Sequence, residues 1–95
     1  MLAQQIIEEV VARCGKDHQL VIAIEELSEL QKELTKEYRG KGNRDNILEE
    51  MADVIIILKE IIYIEEFTHD EIFIEIQKKL RRTEERLNDG RCESL

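Results

Sequence analysis

The stretch "LEEMADVIIILKEIIYI", residues 48–64, decides how this chain is read. At about 100° per residue, Ile47, Val54, Ile57, Ile61 and Ile64 share one helical face, and Met51, Ile55, Leu58 and Ile62 share another. Glu49, Lys59 and Glu60 fall on the remaining, polar side. A helix apolar on two sides is buried on two sides, and a hairpin partner covers only one. The stretch therefore predicts a helical bundle completed by a second copy of the chain, most simply with two-fold symmetry. It also poses a difficulty. Glu50 and Asp53 lie within the first apolar face, where an unpaired carboxylate is expensive to bury.

Outward from this helix, the rest of the chain also reads as helical. There is no proline, and the aromatic content is 4%. Gly15, Gly40 and Gly90 each follow a helical pattern, as glycines at a helix C-terminus do. The first helix covers roughly residues 2–14, with Ala3, Ile6, Ile7, Val10, Val11 and Cys14 on one side. The second runs from about Asp17, as N-cap, to about Tyr38, with Leu20, Ile24, Leu27, Leu34 and Tyr38 as its stripe. The third opens near Asn46, where "NILE" has the form of a capping box, and ends near Glu66. The fourth opens with "THDE", a capping box from Thr68 to Glu71, and reaches about Leu87 along Ile72, Ile76, Leu80 and Leu87. The expected fold class is all-α. A four-helix chain forms one domain over residues 1–95 with a frayed tail from about 88, and helices two and three form an antiparallel hairpin.

The bulk charge excludes several functions. With 22 acidic and 14 basic residues the net charge is −8, which argues against nucleic-acid backbones and anionic membrane surfaces. "VIIILKEIIYI", residues 54–64, is broken by Lys59 and Glu60 and is too short to span a bilayer. The N-terminus lacks the apolar core of a signal peptide. Cys14 and Cys92 do not make a disulfide framework, and Cys14 reads as a small core residue. A cytoplasmic location is expected.

The second helix repeats the pattern of misplaced acids. Glu26 borders its stripe, and Glu29, at the spacing shared by Glu50 and Asp53, lies further round near Ile22. Folding helices two and three back on each other about "RGKGN", residues 39–43, sets Glu29 level with Glu50 and Glu26 level with Asp53. Four converging carboxylates repel unless a cation sits among them. All-oxygen ligation selects a hard cation, Mg²⁺ or Mn²⁺, whereas zinc would want His or Cys. In so acidic a chain, EExxE alone is weak evidence, and Glu33, Lys36 and Glu37 read as a solvated face. A di-iron bundle would need two Glu-x-x-His pairs, and only Glu66 and His69 supply one. His18 and His69 read as surface or capping residues.

EExxE at Glu25, Glu26 and Glu29, a spacer of twenty residues, then ExxD at Glu50 and Asp53: this two-part motif resembles that of the MazG-like all-α nucleoside triphosphate pyrophosphohydrolases, whose relatives include dimeric dUTP and dCTP pyrophosphatases. The resemblance spans residues 17–87. It implies cleavage of (d)NTPs between the α and β phosphates to a nucleoside monophosphate and pyrophosphate, in a house-cleaning role. It implies Mg²⁺ held by Glu26, Glu29, Glu50 and Asp53, with Glu25 or Glu29 orienting the attacking water and Glu25 helping to hold a second metal or that water. It further implies assembly as homodimers, or as tetramers built from dimers, and a phosphate contact from Lys79, Arg82 and Arg86 on the fourth helix. For those three, a solvated helix end is an equal reading. Lys16, Asn88 and the basic "RGKGNR" turn are weaker candidates. Tryptophan is absent, and Tyr63 and Phe73 read as core, which leaves little for tight base recognition and favours a broad (d)NTP range. The reading from another class is a non-catalytic helical dimerisation or regulatory module.

Overall fold

The computed structural model describes residues 1–93, and among these every regular element is an α-helix. They are α1 (Ala3–Cys14), α2 (Lys16–Tyr38), α3 (Arg44–Ile64) and α4 (His69–Asn88). No helix among the described residues is long and apolar enough to cross a membrane.

Local chemistry sets the boundaries. The α2–α3 turn is closed by the pair of bonds that ends a helix on a left-handed residue: Lys41 N–H donates to the Lys36 carbonyl at 2.9 Å and Gly40 N–H to the Glu37 carbonyl at 3.0 Å. Gly40 supplies the φ of 75° that this requires. Gly42 is held to glycine for a different reason, since a Cβ there would meet the Glu37 Cα at 2.8 Å. The same closure ends α3, where Phe67 N–H donates to the Ile62 carbonyl at 3.1 Å. There the left-handed residue is Glu66, at φ 58°.

The helix starts differ from expectation in two cases. The cap of α3 is Asn43 rather than Asn46; its side chain accepts from the N–H groups of Asp45 and Asn46 at 3.0 and 3.1 Å. The α2 helix begins directly after Gly15, with no side-chain cap. Asp17 lies inside the first turn, where its charge faces the positive end of the helix. The capping box of α4 is present, with Thr68 Oγ1 accepting from Glu71 N–H at 3.1 Å and the Glu71 carboxylate accepting from Thr68 N–H at 2.8 Å.

Helices α2 and α3 pack along each other, and α1 lies against both. The buried apolar set is small: Ile7 and Val11 of α1, Ala23 of α2, and Val54, Ile57 and Ile64 of α3. On α3 the face led by Val54 and Ile57 turns inward as expected, while Met51, Ile55 and Leu58 of the other face are exposed. On α2 the expected stripe is not the buried one. Ile24 is 65% and Tyr38 92% exposed, with Leu27 and Leu34 also exposed. The inward residues are instead Gln19, Ala23, Glu26, Leu30 and Glu33, each buried or half-buried. Their alternating spacing of four and three residues is a helical face of its own, selected by polar pairing across to α3. Glu33 and Glu60, read from sequence as solvated, are therefore 7% and 5% exposed. Cys14 is exposed because it ends α1 beyond the packed turns.

Helix α4 stands apart: none of its Cα atoms comes within 8 Å of one in α1, α2 or α3. Its apolar residues Phe73, Ile76, Leu80 and Leu87 are exposed, against the expectation that Phe73 is core. The radius of gyration is 16.3 Å, compared with about 12 Å for a compact domain of this length.

Candidate metal centre

One buried hydrogen bond sets the register of α2 against α3. Gln19 Nε2 donates to Glu60 Oε1 at 2.7 Å, and Gln19 Oε1 lies 2.9 Å from His18 Nδ1. A Gln–Glu contact inside a seam is directional in a way that leucines are not, because either group left alone would lose its bond without regaining water. Two turns along from this contact, the same alignment sets Glu26 of α2 beside Glu50 and Asp53 of α3.

One carboxylate oxygen from each of Glu26, Glu50 and Asp53 lies within 4.8 Å of the other two. Among the described residues this is the one group of metal-ligating side chains so gathered. None of the ion pairs formed there reaches it, so no lysine or arginine offsets its charge. The cost appears in proton affinity. Burial, then the charge and hydrogen bond of Asp53, then the charges of Glu50 and Glu29 raise the Glu26 carboxyl above its ordinary value. Glu50 is raised too, by burial first and then by Asp53, Glu29, Glu33 and Glu49. Glu50 Oε2 is buried with no hydrogen-bond partner. An orphaned carboxylate oxygen among other carboxylates, with only oxygen donors nearby, fits a hard divalent cation.

The other predicted site residues fall in different places. Glu29 is exposed and outside the 4.8 Å group, although its charge acts on both Glu26 and Glu50. Glu25 is exposed and outside the group. Lys79 and Arg86 are half-buried and Arg82 is exposed, all on the helix that packs on none of the other three. Arg86 lies 3.9 Å from Glu93. Glu66 and His69 are exposed and join no ligand group.

The structure adds Glu33, whose Oε2 is buried without a partner while Lys36 Nζ lies 3.4 Å from Oε1. Its signal in the sequence is positional, four residues after Glu29 and seven after Glu26 on the Gln19 face. At the other end of the pair, a cavity of about 690 Å³ opens between α1, α3 and the start of α4, lined among others by Lys16, Lys59, Tyr63, Phe67 and His69. Comparison of the chain with protein-family models, characterised proteins and solved structures finds no match.

Proposed function

We propose that this chain is a cytoplasmic, Mg²⁺-dependent pyrophosphohydrolase that converts (d)NTPs to (d)NMPs and pyrophosphate. The observation that carries the reading is the cluster of Glu26, Glu50 and Asp53, three carboxylate oxygens within 4.8 Å supplied by two helices, which no lysine or arginine among the described residues pairs with. A structural cluster would gain from a lysine or arginine here; a cation-binding one must leave the place open. The motif of the sequence supplies the reaction class.

In this reading α2 and α3 are the antiparallel motif hairpin, and Glu26, Glu29, Glu50 and Asp53 hold the metal. Mg²⁺ bound there would screen the substrate's charge from the acids, polarise phosphorus and acidify a coordinated water. Glu29 and Glu25, both solvent-exposed, orient that water at the rim. The triphosphate also needs cations from the protein, and Lys79, Arg82 and Arg86 supply them from α4.

Because α4 lies off its own bundle, those residues act at the acids of another copy. The exposed faces led by Ile24 and Leu27 on α2 and by Ile55 and Leu58 on α3 are the surfaces that a homodimer, or a dimer of dimers, covers. Contiguous apolar area of this kind rarely faces water in a stable monomer. The same faces also support the second reading, a non-catalytic dimerisation module. One assay separates them: incubation with Mg²⁺ and a panel of dNTPs, with pyrophosphate and monophosphate measured. Turnover lost in Asp53→Asn supports hydrolysis. Absence of turnover with every nucleotide, or a fully active Asp53→Asn, leaves the dimerisation module.

A further inference from the structure

The cavity of about 690 Å³ lies at the end of the α2–α3 pair away from the turn, and none of its lining residues belongs to the acid cluster. From Lys16, in its lining, to Glu26 the α2 helix rises about 15 Å. Its volume falls in the range of small-molecule sites, about 300–1,000 Å³. Three features that the acid cluster leaves unexplained meet there. The first is Lys59, the cation that interrupts the apolar run of α3. It lines the cavity together with Ile62 and Tyr63, three and four positions on, which share its side of the helix. The second is the placing of the aromatics. The chain has two tyrosines, two phenylalanines and no tryptophan, and Tyr63 and Phe67 both line this cavity while 39% and 46% exposed. The third is Glu66, the one described residue other than glycine with a positive φ, 58°. That conformation is unfavourable for a side chain larger than glycine's, and the residue that follows it is Phe67.

The charge of the lining runs against that of the chain. Lys16 and Lys59 oppose a single acid, Glu66. Neither lysine has an ion-pair partner among the described residues, although the chain has 22 acidic residues to offer. Gly15, where α2 starts with no side-chain cap, lies in the same lining, so the positive end of that helix adds to the field. We propose that this cavity binds a small organic anion with a flat apolar body. Lys16 and Lys59 meet its acidic group, and Ile62, Tyr63 and Phe67 take its body, where aromatic rings favour a flat partner. An inorganic anion would leave the apolar wall unused, and a neutral body would leave the lysines unused. The site stands independently of the metal centre and of the hydrolysis reading.

The test uses the intact chain in metal-free buffer with 2-naphthoate as probe and 2-naphthylmethanol as its neutral counterpart. Affinity is read from probe fluorescence, and position from backbone amide shifts. Wild type is expected to bind one 2-naphthoate per chain, with the largest shifts around Gly15, Lys16 and Tyr63. The neutral counterpart should bind about tenfold more weakly, the loss of one charged hydrogen bond. Lys16→Gln and Lys59→Gln should each weaken 2-naphthoate and leave 2-naphthylmethanol unchanged; both lysines are exposed, so the variants fold. Asp53→Asn should change neither affinity. No binding at millimolar probe would overturn the proposal. So would equal affinity for the two compounds, or full affinity for 2-naphthoate in both lysine variants. Shifts confined to the exposed faces of α2, α3 and α4, or binding lost in Asp53→Asn, would overturn it by placing the probe elsewhere.

Discussion

The two sides of the α2–α3 pair are built on opposite principles. The seam between the helices carries Gln19, Glu26, Glu33, Glu50 and Glu60, all buried or half-buried. The outer surface carries Ile24, Leu27, Leu34, Ile55 and Leu58, all exposed. A chain folding for its own stability alone would have the reverse arrangement, since burial of each large aliphatic side chain stabilises by about 1.5–3 kcal/mol. The difference teaches that the seam is organised around charge, with a single Gln–Glu hydrogen bond as its locating pin. The apolar surface faces outward, where the proposed second copy would cover it. Helix α4 extends the contrast, holding the apolar residues Phe73, Ile76, Leu80 and Leu87 in solvent.

The largest effect expected is on turnover. Asp53→Asn or Glu50→Gln should reduce (d)NTP hydrolysis by more than about 100-fold, because direct ligands matter more than the supporting groups whose loss costs 10–100-fold. Measured pyrophosphate release checks this, and a mild loss would break the view of the seam as a charge site.

The outer face comes next. The pair Ile55→Glu and Leu58→Glu should convert an oligomer to a lower-mass species in analytical ultracentrifugation. The melting temperature should then fall, since the released chain loses the aliphatic burial estimated above. A wild-type chain that is already a stable monomer would end the case for a second copy on that face.

Within the seam, Gln19→Leu should destabilise by about 1–3 kcal/mol, because it strands the buried Glu60 carboxylate. The double variant Gln19→Leu with Glu60→Leu should recover most of that loss in denaturant unfolding. Equal costs for the single and double variants would mean that the pair is not what sets the alignment.

The smallest effect is on pH dependence. The carboxyls of Glu26 and Glu50 are raised in the folded chain, so the folded state binds protons more tightly than the unfolded state. The stability from these groups is fully present below the unfolded glutamate range, and it is lost as pH rises through the folded values. The metal-free chain should therefore melt higher at pH 5 than at pH 7. Asp53→Asn should flatten that slope and raise the melting temperature at pH 7, because it removes a repelling charge. Saturating Mg²⁺ should flatten it as well, by favouring the charged form.

Much of the fold was legible from local signals. The apolar periodicity of α3 marks the helix and its inward face, the capping box at Thr68 and Glu71 marks the start of α4, and Gly40 marks the turn. Spacing alone set Glu26 level with Asp53, and their carboxylates do lie together. Two readings failed for a shared reason. Periodicity reads the leucine stripe of α2 as its buried face, and Glu33 and Glu60 as solvated, whereas the stripe is exposed and both acids are buried. Hydropathy ranks a side chain by its own transfer energy, whereas the seam is chosen by pair energies between side chains on different helices. Asn43 caps α3 although "NILE", three residues on, offers a second signal of the same kind.

The sequence by itself determined the helices, the turn and the spacing of acids along each helix, because these depend on neighbours within a few residues. Only the tertiary structure decided which face of α2 is inside, that Glu33 joins the acid seam, and that α4 stands clear of its own bundle. Those outcomes depend on residues far apart in the chain, where the contact from Gln19 to Glu60 outweighs the preference of any single side chain.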